Sequence, residues 1–355
     1  MHIPDGFIDG KTAAATALLS AAGVGLALRQ ARQRLAPRRV PLLGLAAAFL
    51  FAAQMVNFPV AGGTSGHLVG GVLVAALLGP SAAIVVLTTV LIVQCFLFAD
   101  GGVLALGANV FNMGIIGAAG GYAIYRLVCR WLPGTRGQVT AVAFAGWCST
   151  VMASICCAGE LAWSGTVAWP AGFAAMATVH MVIGIGEGLI SALVFLAILR
   201  MRPELAGEAS RAAQPRPLTP ALSSSAGERE DHPQSLGLPL APAEGERAGV
   251  RGQWSELMGY GLLAALGIAI FVAPFACSSP DGLESVATRL GFEHKAVHQV
   301  VRALAPGYQV QGVRWAAGAT AVAGAVGTLV AFGLARLLAR SLVREPAEDG
   351  HATPP

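Results

Sequence analysis

The chain has 355 residues, of which 55% are hydrophobic and 12% charged, with a formal net charge of +4 and a mean hydropathy of +0.65. It is too apolar and too sparsely charged for a soluble domain, and no nucleic-acid partner is expected of it. The composition is that of a polytopic membrane protein whose solvent is the lipid bilayer.

Apolar runs recur along the chain, and a helix needs about 20 residues to cross a hydrocarbon core. Spans are predicted near 12–28, 41–57, 68–79, 80–99, 108–128, 138–160, 171–199, 256–275 and 315–338. The expected fold is all-α, with about nine transmembrane helices, seven plus two. The third run is too short to cross alone, and Gly79-Pro80 separates it from the next. Arg29, Arg32, Arg34, Arg38 and Arg39 crowd the first loop, and Arg126, Arg130 and Arg136 a later one. Arg336, Arg340 and Arg344 follow in the tail, whereas 57–67, 99–107 and 160–170 hold no Lys or Arg. Short cytoplasmic loops collect basic residues, so an N-terminus outside and a cytoplasmic C-terminus are predicted, in a bacterial cytoplasmic membrane.

At the chain start, the Met1 amine, the His2 amide nitrogen and the His2 imidazole form three adjacent nitrogen donors. Planar, nitrogen-rich surroundings suit Ni(II) or Cu(II), and a fourth nitrogen has to come from elsewhere. Two residues alone leave a chance histidine as the simpler account. Pro4-Asp5-Gly6 is a turn signal that folds this terminus back over the bundle. Asp5 and Asp9 precede the first apolar run and the arginines follow it, the reverse of a signal peptide, so retention of the terminus is expected. Gly10-Lys11-Thr12 is not a phosphate loop, since Asp5 stands where the earlier glycine is required.

The second span ends at Asn57, and a glycine-bearing loop (Gly62, Gly63, Gly66) carries Ser65 and His67 on the same side as the N-terminus. His67 is the candidate fourth nitrogen; an interfacial histidine bonded to a carbonyl is the alternative. Asp100 and Glu160 read as solvated ends of spans. Asn109 and Asn112 start the fifth span, where amides bond between helices or support a ligand. Asn57 and Ser65 are expected in the same supporting role. Pairs Gly66/Gly70, Gly117/Gly121 and Gly184/Gly188 have the spacing of close helix contacts, and the six cysteines read as packing.

His180 and Glu187 lie two turns apart in the seventh span, and ionisable groups in lipid are functional candidates. Three readings stay open for them: a structural pair, support for a ligand, or a proton relay. Beyond them the chain divides into a unit over 1–202, a disordered cytoplasmic linker over 203–253, a two-helix unit over 254–344 and a disordered tail over 345–355. Within the last unit, Asp281 and Glu284 are spaced to cap a helix reciprocally, although the usual first residue is Ser or Thr. His294 and His298 are four apart, and a solvated helix face accounts for them better than a metal pair.

Two stretches, Met1-His2-Ile3-Pro4-Asp5-Gly6-Phe7 and Gly62-Gly63-Thr64-Ser65-Gly66-His67, resemble the CbiM/NikM family, the nickel/cobalt substrate-binding components of energy-coupling-factor transporters. Residues 254 to 344, with Pro280-Asp281-Gly282-Leu283-Glu284, look like a fused PDGLE domain similar to CbiN/NikN subunits. The resemblance implies a square-planar site of the Met1 amine, the His2 amide and imidazole, and the His67 imidazole. It also implies Ni2+ or Co2+ as transported substrate, two cytoplasmic ATPase subunits that use the ATP, and a transmembrane coupling subunit. Ile3-Pro4-Asp5-Gly6 looks more like nickel importers than cobalt ones. The expected function is thus metal capture for an ATP-driven importer, not enzymatic catalysis. The alternative is an autonomous proton-coupled carrier using His180 and Glu187.

Overall fold

The computed structural model describes residues 1–202, 244–297, 299 and 301–343. Helix α1 (Gly10–Arg34) starts where the Asp9 carboxylate accepts the Thr12 N–H at 2.9 Å, which satisfies one of the free donors of a helix start. Helix α2 (Val40–Gln54) has proline in its first turn, where the missing N–H costs nothing. After it, β1 (Phe58–Val60) and β2 (Thr64–Gly66) pair antiparallel, with Val60 opposite Thr64. Helices α3 (Gly71–Leu78) and α4 (Pro80–Phe98) follow, reversing at Gly79, whose φ of 93° suits only glycine.

A single rod then runs through α5 (Leu106–Asn109), a π-helical stretch Val110–Gly120 and α6 (Gly121–Trp131). Helices α7 (Gly134–Trp163) and α8 (Trp169–Met201) complete the first unit. The second unit consists of α9 (Glu244–Gly267, continued by irregular turns to Phe275), α10 (Gly282–Leu290) and α11 (Ala316–Leu342).

The longest helix pair is α7 with α8, while α9 and α11 both pack on α2 and so join the second unit to the first. Small residues make the first pairing close: a Cβ on Gly188 would stand 2.4 Å from the Ala143 carbonyl. Gly121 likewise faces Val72 and Ser149. Gly66 and Gly70 differ from expectation, because Gly66 lies in β2 and Gly70 caps α3. The buried heart of the bundle is α3 and α4, whereas α1 and α9 turn Leu18, Leu19, Leu26, Leu263 and Phe271 outward, as lipid-facing helices do.

Among the described residues, six helices are long and apolar enough to cross a membrane: α1, α4, α7, α8, residues 256–275 and α11. The remaining predicted spans are the 15-residue α2, the 8-residue α3 and the rod with the π-helical centre. At 1.5 Å per residue, α2 reaches about 22 Å, short of a core of about 30 Å. Two further differences concern connections. Residues 60–67 form a hairpin instead of a free loop, since Gly62 and Gly63 supply the positive φ its turn requires. Helix α9 begins at Glu244, inside the stretch expected as linker, where Glu, Arg and Ala favour helix; residues 203–243 and the tail from 344 lie outside the described residues.

Chain direction alternates so that one end of the bundle gathers residues 1–9, the hairpin, residues 99–105, residues 164–168 and the connection between α9 and α11. Arg29, Arg32 and Val343 meet at the opposite end.

Candidate metal-binding site

The first nine residues have no regular structure, and side chains hold them in place. Asp5, buried, accepts the backbone N–H groups of Val103, Leu104 and Ala105 at 3.1, 2.9 and 3.3 Å. Asn109 clamps both sides of the Ile3 backbone, accepting its N–H at 2.8 Å and donating to its carbonyl at 3.1 Å. The Gly102 N–H reaches the same carbonyl at 2.8 Å. A Cβ on Gly102 would fall 2.1 Å from Asp5 Oδ1, so the loop approaches this closely only as glycine. From the second unit, Val297 donates to the Asp5 carbonyl at 2.9 Å, and the Phe292 ring meets Phe7 edge-on at 5.1 Å.

This clamp delivers the Met1 amine to 3.0 Å from His67 Nε2 and 2.8 Å from Asp281 Oδ2. The His2 and His67 rings stack at 5.3 Å and 22°. His2 Nδ1 lies 3.2 Å from Asp100 Oδ1, and its Nε2 lies 3.2 Å from Gln94 Oε1. Asp100 reaches this position because α4 ends on Ala99 in the left-handed conformation (φ 55°), which turns the chain sharply. Tyr308 of the second unit donates to its other oxygen at 2.6 Å.

The charges follow from burial and neighbours. Burial, then the Met1 ammonium and His2, push the His67 imidazole well below its usual pKa, so it stays neutral. Its Nδ1 lies 3.4 Å from the Leu68 carbonyl, which leaves Nε2 with the lone pair that faces the amine. Burial draws the Met1 amine down, but the charge and hydrogen bond of Asp281 outweigh it and hold the amine above its usual value. Burial raises Asp281 too, and the ammonium overrides that, keeping the carboxyl well below the usual range. Burial lowers His2 against the pull of Asp100.

A pocket of ≈ 20 Å³ lies between Met1, His67, His180 and Asp281, about the space of one water or ion. Beside it is a cleft of ≈ 350 Å³ whose lining includes Asp100, Asp281, Glu284 and Glu293, all acidic and suited to a cation. Among the described residues no cluster of three or more His, Cys, Asp or Glu side chains is placed to hold a metal.

The structure brings Met1, His2, His67 and Asn109 together. Ser65 is buried alongside, bound to the second unit through the Ser279 carbonyl at 2.7 Å and the Pro280 carbonyl at 2.8 Å. Asn57 sits at the hairpin base, its carbonyl accepting the Cys277 N–H at 2.9 Å. Asn112 turns away from the amine and donates to Glu160 at 2.7 Å. His180 and Glu187 take different partners: His180 Nδ1 lies 2.9 Å from the Met176 carbonyl, while Glu187 accepts the Val69 and Gly70 N–H groups at 2.6 and 2.9 Å. Glu187 thus fixes the start of α3, just beyond His67. His294 lies on an exposed turn, and His298 is outside the described residues.

Asp100 and Glu160 are not the solvated ends the sequence suggested, because each is held by a partner from a distant segment. Asp5, Gln94 and the amine contact of Asp281 gave no local signal. Only the capping role of Asp281 was visible beforehand, and its reciprocal bonds with Glu284 are present at 2.9 Å each.

Comparison with known proteins agrees with this architecture. Residues 2–205 match the CbiM family, described as the cobalt uptake substrate-specific transmembrane region, and residues 255–344 match the PDGLE domain. A putative fused nickel transport protein NikMN of Archaeoglobus fulgidus is 33% identical over 96% of this chain and 98% of its own length. A putative metal transport protein of Haloquadratum walsbyi is 40% identical over 58% of this chain and 93% of its own. A crystal structure of a truncated transition metal transporter superposes with a TM-score of 0.52 at 33% identity, covering 57% of this chain and 99% of that one. The chain belongs to the CbiM family, as a nickel/cobalt transport component with a PDGLE domain fused behind it.

Proposed function

We propose that this chain captures Ni(II), or Co(II), through four nitrogens: the Met1 amine, the His2 amide, His2 Nδ1 and His67 Nε2. The observation that carries the reading is the placement of His67, with Nε2 3.0 Å from the amine and its ring stacked on that of His2. In a planar site the three donors of residues 1 and 2 occupy consecutive corners. The fourth must then stand opposite the amide, between the amine and the imidazole, and the 3.0 Å contact of His67 Nε2 with the amine supports His67 for that corner. Neighbouring nitrogens of such a square are about 2.8 Å apart for bonds of about 2.0 Å. The Ile3-Pro4-Asp5-Gly6 sequence favours nickel.

In this reading the site faces the outside of the cytoplasmic membrane, with the C-terminus in the cytoplasm. Two ATPase subunits and a transmembrane coupling subunit supply the energy, and the chain itself hydrolyses no ATP. The PDGLE segment contributes Asp281 and Tyr308 to the wall of the site. Metal analysis and the absorption spectrum of the purified chain test the assignment. Wild type is expected to retain one planar nickel, whereas His67→Ala, or one residue added ahead of Met1, is expected to abolish retention without loss of helix content. An unchanged dissociation constant in His67→Ala overturns it. Metal flux driven by a pH gradient in vesicles holding this chain alone would favour a proton-coupled carrier instead.

A further inference from the structure

Behind His2 runs a series of side-chain amides that can be hydrogen-bonded in one sense only. His2 Nε2 faces Gln94 Oε1 at 3.2 Å, Gln94 Nε2 donates to Gln54 Oε1 at 2.9 Å, and Gln54 Nε2 donates to the Val69 carbonyl at 3.0 Å. Both glutamines are buried. An isolated amide can be turned end for end at little steric cost, since its oxygen and nitrogen are nearly equal in size. Here the far end prevents it. A backbone carbonyl only accepts, so Gln54 must show it nitrogen; Gln54 oxygen then meets Gln94 nitrogen, and Gln94 oxygen meets His2. The His2 nitrogen on that side must therefore carry hydrogen. Val69 is itself held, its N–H donating to Glu187.

On the other edge of the ring, Nδ1 faces Asp100. A metal ligand has to present a lone pair, and with Nε2–H committed to Gln94 only Nδ1 is left to present one. Nδ1 is also the ring nitrogen that closes a six-membered chelate with the amide nitrogen of the same residue; Nε2 lies across the ring.

We propose that Gln94, aimed by Gln54, is a positioning residue for metal capture, which commits His2 to coordination through Nδ1 and fixes the angle of its ring. The proposal rests on the four-nitrogen site described above. Removing the oxygen acceptor of a ligating histidine typically costs about 10- to 100-fold in metal affinity.

The test uses the full chain in lipid nanodiscs, with Ni(II) affinity measured by chelator competition. It is joined by nitrogen-15 histidine NMR of the nickel-loaded protein, since planar Ni(II) is diamagnetic. Gln94→Met is expected to bind nickel about 10- to 100-fold more weakly. Gln94→Glu is expected to bind nickel more tightly than Gln94→Met, because a carboxyl in either protonation state offers the His2 Nε2–H an acceptor oxygen. Gln54→Met is expected to weaken binding by letting Gln94 turn. In wild type the His2 Nε2–H should be protected from solvent exchange. Gln94→Met binding like wild type, Gln94→Glu as impaired as Gln94→Met, or a freely exchanging Nε2–H in wild type each overturns the proposal. The last needs no variant to fold. His67→Ala separates the two levels: if it keeps planar nickel the site itself is wrong, and if it alone loses nickel only the role of the glutamines falls.

Discussion

Asp281 divides its carboxylate between two distant parts of the chain: Oδ2 holds the Met1 amine at 2.8 Å, while Oδ1 accepts the Glu284 N–H at 2.9 Å and so starts α10. The proton that the amine must lose to bind a cation is therefore stabilised by the same group that caps a helix of the PDGLE domain. Neutral His67 accepts from that ammonium on its other side, so in the proposed site a metal would take the place of a proton shared within one buried cluster.

Nickel affinity should consequently rise with pH. The amine is held above its usual value of 8.0 chiefly because Asp281 overrides the effect of burial, so at neutral pH it is charged and must be deprotonated on binding. Affinity should change about tenfold per pH unit for each proton released below that value. A competition titration below pH 8, roughly from pH 6 upward, checks the slope. The amide nitrogen releases a proton as well, so a slope of one proton instead of two would remove the amine from the ligand set.

Asp281→Asn should move the midpoint of that profile to lower pH, because burial then draws the amine down against only the weaker pulls of Asp100 and Glu284. Glu284→Ala is the control. It removes the reciprocal cap bond, at a cost of about 0.5–2 kcal/mol, but leaves the carboxylate that touches the amine. Equal shifts in both variants would mean that α10 stability, not charge, sets the profile.

Gly102→Ala should detach the N-terminal segment. Its Cβ would fall 2.1 Å from Asp5 Oδ1 and 2.4 Å from the Asp5 amide, so one of the two must move. A destabilisation of about 1–3 kcal/mol is expected in thermal unfolding, with faster proteolysis ahead of Gly10 and weaker nickel binding. Unchanged proteolysis would show that the loop yields without releasing Asp5.

Glu187→Ala should expose two needs at once. Val69 and Gly70 lose the acceptor of their buried N–H groups, at about 1–3 kcal/mol each, and His67 lies just ahead of them in the chain. A lower unfolding temperature with weaker nickel retention is expected. Loss of pH-driven flux with nickel affinity intact would instead restore a proton relay.

The apolar runs and the Asp281–Glu284 cap are readable from sequence because each is a local pattern, a run length or a spacing. The contacts that build the site are not local. Met1 meets Asp281 across 280 positions, Asp5 caps a loop nearly 100 residues away, and Tyr308 reaches Asp100 across 208. A carboxylate held by a distant partner and a solvated one look alike in a string of letters, so the sequence does not distinguish Asp100, bound by Tyr308, or the buried Glu160, bound by Asn112. The His180–Glu187 spacing is a true helical register, but His180 turns to the Met176 carbonyl of its own helix and Glu187 to the Val69 and Gly70 N–H groups. The hairpin was missed because Thr64-Ser65-Gly66 has no apolar alternation; it is held by pairing with β1 and by bonds to Ser279 and Pro280.

Those bonds between Ser65 and the Ser279-Pro280 backbone fix a stoichiometry. In one polypeptide each hairpin carries its own partner segment by covalent connection. Relatives that kept the halves as separate polypeptides would have to find the same contact by diffusion in the bilayer, and would leave a fraction of capture units without the acidic wall. Fusion makes every copy complete at synthesis.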